Sequence, residues 1–134
     1  MNYLGIDYGE VNYGFAIGNS ITKNSTTYFS EKIASEKEAL KFIDNLIKEW
    51  DLKGIILGYP INMDDTDSKL SLKVSKFKIA CEQLFDIDVE LEDERLTTWE
   101  AKEIMSDKNN LTDKKTTSHA LAAKIILDTW LNRK

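Results

Sequence analysis

The chain has 134 residues, enough to bury a hydrophobic core but too few for two domains, so we expect one domain over residues 1–134. Its net charge of −5 argues weakly against nucleic acid, because phosphate backbones attract basic surfaces. No apolar segment approaches the roughly 18 residues that a membrane span needs, and one cysteine, Cys81, excludes an internal disulfide. We therefore expect a soluble, cytoplasmic protein with no secretory signal and no membrane partner.

Apolar runs alternate with amphipathic stretches of helical periodicity, and this alternation is typical of an α/β protein. The turn between the first two strands is short enough for an antiparallel hairpin, whereas helices join the later strands, which should run parallel. We therefore predict a mixed five-stranded sheet flanked by helices. The predicted elements, in chain order, are strands at YLGI, YGFAI and residues 26–33, a helix at 36–50, a strand at KGIILGY, a helix at 69–84, a strand at VELE, and helices at 97–105 and 118–131.

The helix predicted at 69–84 has an apolar face that contains the single cysteine. Its members are Leu70, Val74, Phe77, Cys81 and Leu84. This position predicts a buried thiol rather than a nucleophile.

Asp7 ends the first predicted strand within the apolar run LGIDYG. Burial of a carboxylate costs several kcal/mol unless a partner offsets it, and a metal ion would be such a partner. Ligands of α/β sheets collect at the carboxyl ends of strands, where the loop GYPINMDDTDS, the loop DERLTT and His119 are also expected. The alternative is that Asp7 caps the glycine-rich turn by accepting backbone N–H bonds.

Four segments, GIDYG, GYPINMD, DERLTT and AAKIILDTWL, follow one another over essentially the whole chain. In this order they resemble the YqgF/RuvX family, small bacterial relatives of Holliday-junction resolvases with an RNase H-like fold. The DERLTT segment is quite specific, whereas GxDxG alone is shared with sugar kinases and actin-like ATPases. The resemblance implies a nuclease that matures the 5′ end of the 16S ribosomal RNA precursor. Resolvase-like cleavage of DNA junctions is the competing assignment.

The resemblance also implies the site residues. Asp7 matches the first catalytic acid of the family, and Glu94, with Asp93 beside it, matches the acidic motif after the fifth strand. His119 stands where the family usually has an aspartate, and a neutral imidazole can also ligate a divalent metal. We therefore expect one or two Mg²⁺ or Mn²⁺ ions held by Asp7, Glu94 and Asp93, with His119 as a ligand or a general base.

Basic side chains supply the expected substrate contacts. Those singled out are Lys69, Lys73 and Lys76 at helical spacing, Lys114 and Lys115 in a polar loop, and Arg95, which contacts phosphate or neutralises Glu94. The alternative for the lysines is a solvated helix face and a solvated loop. Val11 and Asn12 replace a Lys-Arg pair that is common in the family. We therefore expect weaker phosphate binding rather than altered chemistry.

Two other classes of function stay open. One is an RNA-binding or protein-binding member whose catalytic site has decayed, and the other is a phosphate-transferring ATPase suggested by GxDxG. The chain is too short for the two-domain clamp of such ATPases. The expected partners are precursor ribosomal RNA or branched DNA, with ribosomal precursor particles and a second copy of the chain as further candidates.

Overall fold

The computed structural model describes residues 1–59, 69–93 and 118–133. The elements within these ranges are strands β1 (Asn2–Asp7), β2 (Asn12–Asn19), β3 (Asn24–Lys32), β4 (Leu52–Tyr59) and β5 (Asp88–Asp93), and helices α1 (Glu36–Trp50), α2 (Lys69–Phe85) and α3 (Ser118–Arg133). Every element predicted within these ranges is confirmed, with ends that differ by two residues at most. The helix predicted at 97–105 lies outside the described residues. None of the three helices named here has the length and apolar character needed to cross a bilayer.

The five strands form one sheet in the order β3-β2-β1-β4-β5. Strand β2 pairs antiparallel with both β1 and β3, whereas β4 runs parallel to β1 and to β5. Helix α1 separates β3 from β4 along the chain, so β4 can return beside β1 in the parallel direction. The predicted mixed sheet is therefore confirmed.

Each face of the sheet carries its own hydrophobic cluster. Successive side chains of a strand point to opposite faces, so neighbours such as Ile6 and Asp7 serve different sides of the sheet. Helices α1 and α2 cover one face, where Leu4, Ile6, Phe15, Ile43, Ile55, Leu57, Val74 and Phe77 are buried. Helix α3 covers the other face, where Ala16, Ile56, Ala123, Ile126, Leu127, Trp130 and Leu131 are buried.

One predicted core position on α2 is wrong. Leu84 is 61% exposed, whereas Val74, Phe77 and Cys81 are fully buried and Phe85 packs against the core. The inward position after Cys81 is four residues on, at Phe85, because the third residue on is rotated away from the sheet. The predicted buried thiol is confirmed, since Cys81 has no exposed surface, and this burial raises the pKa of the thiol to about 12.

Helix α1 begins and ends with local backbone bonds that its sequence favours. The hydroxyl of Ser35 accepts a hydrogen bond from the backbone N–H of Glu38, which satisfies one donor of the first turn. At the other end, Asp51 has a φ of 51° and its N–H donates to the carbonyl of Ile47. The chain is thereby turned directly into β4.

A partly buried polar network ties α3 to the start of β3. One carboxylate oxygen of Asp128 accepts from both the backbone N–H and the hydroxyl of Ser25, each at 2.6 Å. The ammonium of Lys124 donates to the other carboxylate oxygen at 2.7 Å and to the carbonyl of Ser25 at 3.0 Å. Because Ser25 is 3% exposed, water cannot easily replace these bonds.

Replacement of Asp128 by alanine should therefore destabilise the protein by about 2 to 4 kcal/mol, because two buried donors lose their acceptor. Urea unfolding followed by circular dichroism measures this loss. The matched control is Asp44→Ala on α1, which removes an exposed ion pair with Lys48 and should cost less than about 0.5 kcal/mol. Equal losses of unfolding free energy in the two variants would contradict this role of Asp128.

Candidate active site

Asp7 and His119 meet at the carboxyl end of β1. Asp7 is the last residue of this strand and is 8% exposed, on the face that α3 covers. Nδ1 of His119, from the first turn of α3, lies 2.7 Å from Oδ2 of Asp7. The imidazole is thus a protein partner for the buried carboxylate, where the sequence had pointed to a metal ion.

A glycine allows this approach. Gly14 of β2 pairs with Asp7 in the antiparallel register. A Cβ atom at Gly14 would lie 1.9 Å from the carbonyl oxygen of His119, far inside van der Waals contact. The first turn of α3 can therefore rest on the sheet beside Asp7 because position 14 has no side chain.

The contact fixes how the imidazole can act. The hydrogen bond with Asp7 raises the pKa of His119, because the carboxylate favours the protonated ring, while burial opposes this shift. Since Nδ1 faces Asp7, Nε2 is the ring nitrogen left to meet a metal, a substrate or water. The His119 side chain is 39% exposed, which is open enough for such a contact.

The acidic motif after β5 is described as far as Asp93. Asp93 pairs with Tyr59 at the end of β5, and its neighbour Glu92 is buried on the α3 face. Strand alternation therefore places Asp93 on the face opposite to Asp7. Within residues 1–59, 69–93 and 118–133, no three His, Cys, Asp or Glu side chains are grouped so that they could hold one metal ion. The metal-ligand roles of Asp93 and Glu94 stay predictions. Four of the predicted site residues lie outside the described residues: Glu94, Arg95, Lys114 and Lys115.

Two of the predicted basic residues border the turn between β1 and β2. The ammonium of Lys73 lies 3.1 Å from Oε1 of Glu10 in that turn. Lys73 and Lys76 line a cleft of about 320 Å³ together with Tyr8, Glu10, Tyr13, Ala34, Ser35 and Glu36. Lys69 begins α2 and is exposed. The substrate-binding roles of all three lysines stay predictions.

An ion pair that the sequence did not predict joins α3 to β5, with a buried carboxylate on Glu92 and an Arg133 side chain that is 57% exposed. Glu92 is 5% exposed, and its two carboxylate oxygens accept from the two terminal nitrogens of Arg133, with Nη1 to Oε1 at 2.8 Å. The sequence contains only a slight indication of this ion pair. VELE alternates so that Glu90 and Glu92 share a face, and the chain has two arginines that could neutralise a buried carboxylate, Arg95 and Arg133.

The Asp7 contact can be measured directly because His119 is the single histidine of the chain. Its pKa, followed by proton NMR, should lie above the ordinary 6.5 and fall in Asp7→Asn, where burial acts without the carboxylate. A folded-state pKa above the unfolded value means that the contact stabilises the protein fully below about pH 6.5. That contribution is lost as the pH rises through the raised pKa.

Unfolding by urea across this pH range should therefore show that the stability difference between wild type and Asp7→Asn shrinks as the pH rises. The same histidine pKa in both proteins would contradict the assignment.

Comparisons with known proteins agree with the predicted resemblance. A family model described as "RuvX: Holliday junction resolvase" matches residues 1–133. A protein of Buchnera aphidicola subsp. Schizaphis graminum, named "Putative pre-16S rRNA nuclease", is 35% identical over 134 residues, which cover 99% of this chain and 98% of the relative.

Two solved structures share the fold. The RuvC protein of Thermus thermophilus, in complex with a Holliday junction substrate, has a TM-score of 0.62 at 17% identity and covers 96% of this chain and 91% of its own. The fowlpox virus resolvase, in complex with Holliday junction DNA, has a TM-score of 0.66 at 11% identity. The match covers 99% of this chain and 98% of the resolvase chain. The predicted RNase H-like fold is confirmed by these likenesses. With this fold and a family model that matches nearly every residue, the chain belongs to the RuvX family of Holliday junction resolvases.

Proposed function

We propose that the protein is a metal-dependent nuclease that hydrolyses phosphodiester bonds in the 5′-extended precursor of 16S ribosomal RNA. The observation that carries the proposal is the buried Asp7 carboxylate, held by His119 at the carboxyl end of β1. This is the edge of an α/β sheet where ligands bind. The name of the Buchnera relative supports precursor 16S ribosomal RNA as the substrate.

The donor set fits a hard divalent cation. His119 contacts Oδ2 of Asp7, so Oδ1 is the oxygen that Asp7 offers, and Mg²⁺ and Mn²⁺ prefer carboxylate oxygen. Glu94 would be the second ligand and His119 a further one, whereas Asp93, predicted as a ligand from the sequence, lies on the opposite face of the sheet from Asp7 and would not share this ion. A bound divalent cation supplies an activated water and stabilises the charge on the leaving oxygen.

His119 keeps the carboxylate of Asp7 in one orientation. Because its Nδ1 is committed to Asp7, both roles expected of it, metal ligand and general base, are carried by Nε2. The helix that bears His119 is itself anchored through Asp128, so the ring is held by a rigid element rather than by a loop.

The nucleic acid would reach this edge of the sheet along the β1–β2 turn. Lys73 and Lys76 would contact its phosphates there, with Lys69 further along α2 and Arg95, Lys114 and Lys115 as additional contacts. Glu10 already pairs with Lys73, so a phosphate must compete with that carboxylate. The same proposal places the protein in the cytoplasm, on ribosomal precursor particles, with a homodimer as the arrangement that spans a longer substrate.

Cleavage of branched DNA is the second candidate function. The family description and the junction-bound structural neighbours favour it. The two candidates use the same site and differ in substrate alone, so one experiment separates them.

The decisive test compares wild type with Asp7→Asn on 5′-extended 16S precursor RNA and on a four-way DNA junction. We expect cutting that needs Mg²⁺ or Mn²⁺, stops with EDTA, and falls about a hundredfold or more in Asp7→Asn. Asp44→Asn, exposed on α1, is the control and should cut normally. Cutting by Asp7→Asn at the wild-type rate would contradict the proposed site. The preferred substrate decides between RNA and DNA.

The role of Lys73 has its own test. Lys73→Gln should weaken RNA binding and lower the slope of log affinity against log salt by about one, because one phosphate contact is lost. Glu10→Gln should tighten binding, since it removes the competing carboxylate. Lys48→Gln on α1 is the control. If Lys73→Gln and Glu10→Gln bind RNA as the Lys48→Gln control does, the RNA does not follow this path.

A further inference from the structure

We infer that Lys32, on the outer strand β3, is a substrate-binding residue that contacts a backbone phosphate of the RNA beside the Asp7–His119 site. The inference rests on the proposed function, because a phosphate contact presupposes a nucleic-acid substrate. It concerns the face of the sheet that carries Asp7, whereas Lys73 and Lys76 belong to α2, which covers the other face.

The pairing of β2 with β3 places Lys32 on the same face of the sheet as Asp7. Gly14 of β2 pairs with Asp7 and lies against the backbone of the first turn of α3. Alternate residues of a strand share a face, so Asn12 faces the same side as Gly14, and its partner on β3 is Lys32. Tyr28, which shares a face with Lys32, packs against the cluster on the α3 side, in agreement with this assignment.

Lys32 also stands at the same end of the sheet as Asp7. Asp7, Gly14 and Ser30 form one row across β1, β2 and β3. Lys32 follows Ser30 by two residues, so its backbone lies about 10 Å across the sheet from Asp7 and about 7 Å beyond this row. The first turn of α3 rests on Gly14, between the two side chains. Lys32 therefore reaches a phosphate beside the one that is cut, rather than the reacting phosphate itself.

The charge of Lys32 is available to a ligand. The side chain is exposed, and no carboxylate of the described residues lies within ion-pair distance of its ammonium. Glu31 points to the opposite face with its partner Tyr13, and Glu10 of the β1–β2 turn is bound to Lys73. A phosphate can therefore meet Lys32 without displacing a carboxylate, which it must do at Lys73.

The two faces together describe a path for the strand. Lys73 borders the β1–β2 turn from the α2 side, and Lys32 borders the same end of the sheet from the side of Asp7. An RNA strand that crosses this turn would meet Lys73 first and Lys32 beyond the reacting position. Phosphate contacts on both sides of the cut fix the register of the strand on the site.

The test is the affinity for 5′-extended 16S precursor RNA, measured in EDTA over a range of salt so that nothing is cut. The four-way DNA junction runs in parallel, because both substrates have backbone phosphates. We expect Lys32→Gln to bind about three- to tenfold more weakly, with the slope of log affinity against log salt lowered by about one. Lys32→Arg should bind like wild type, because the cation is kept. In cleavage, Lys32→Gln should raise KM and leave kcat unchanged.

Lys53→Gln is the matched control. Lys53 is also a strand lysine, and its replacement changes the net charge equally, but it lies at the start of β4, near the end of the sheet opposite to Asp7. It should bind RNA within twofold of wild type. Both variants should keep the wild-type melting temperature, because neither side chain is buried.

A short RNA that spans the cut site can identify the phosphate. Each phosphate near the cut is replaced in turn by a neutral methylphosphonate, and affinity is measured for wild type and Lys32→Gln. We expect one position where the neutral linkage weakens binding by wild type but not by Lys32→Gln, because the contact is already lost in that variant.

Two outcomes overturn the inference alone. If cutting needs Asp7 but Lys32→Gln binds RNA as Lys53→Gln does, then Lys32 only protects an edge strand from pairing with other strands. If every neutral linkage weakens wild type and Lys32→Gln equally, then Lys32 contacts no single phosphate. A different result concerns the proposed function. If wild type binds neither nucleic acid, or Asp7→Asn cuts at the wild-type rate, the proposed site is refuted and the role of Lys32 with it.

Discussion

Helix α3 lies closer to the sheet than a side chain beneath it would permit, and the site depends on this approach. A Cβ at Gly5 would lie 2.7 Å from the Cβ of Leu127, and one at Gly14 would lie 1.9 Å from the carbonyl oxygen of His119. Two strands of the sheet therefore leave room for the helix backbone itself. Without that room, the imidazole could not reach a carboxylate at the end of β1.

Three carboxylates then hold α3 at different points along its length. Asp7 meets its first turn, Asp128 joins its middle to the start of β3, and Glu92 meets its last turn. Each carboxylate has a cationic or imidazole partner, which is how a strongly acidic chain can place such groups within or beside its core. The overall charge of −5 thus says little about the site, where charges are paired locally.

Much of this architecture was accessible from the sequence. Within the described residues, strands and helices were predicted to within two residues because their apolar residues repeat with periods of two and 3.6, and a short turn after β1 dictates the hairpin. Asp7 was predicted as a site residue because a carboxylate in a buried strand is unusual. His119 was identified through its place in the family motif, yet its contact with Asp7 was not, because 112 positions separate the two residues along the chain.

The pair Glu92–Arg133 was missed for a different reason. In sequence, VELE looks like an edge strand with one solvated face, and Arg133 looks like a basic residue that completes the last turn of a helix. Only the crossing of α3 over the sheet shows that the supposed solvated face is covered. Similarly, Leu84 was assigned to the buried face of α2 because spacings of three and four residues are equally helical, and the packing selects Phe85.

The position of α3 in the chain has a consequence for synthesis. Strands β1 to β3 and their hairpin turns leave the ribosome early, but the helix that completes the site is encoded from residue 118 onward. A nascent chain therefore carries Asp7 without its partner until nearly all of the residues described here have been made. For an enzyme proposed to cut ribosomal RNA, this order delays the assembly of the cutting site until α3 has left the ribosome that makes it.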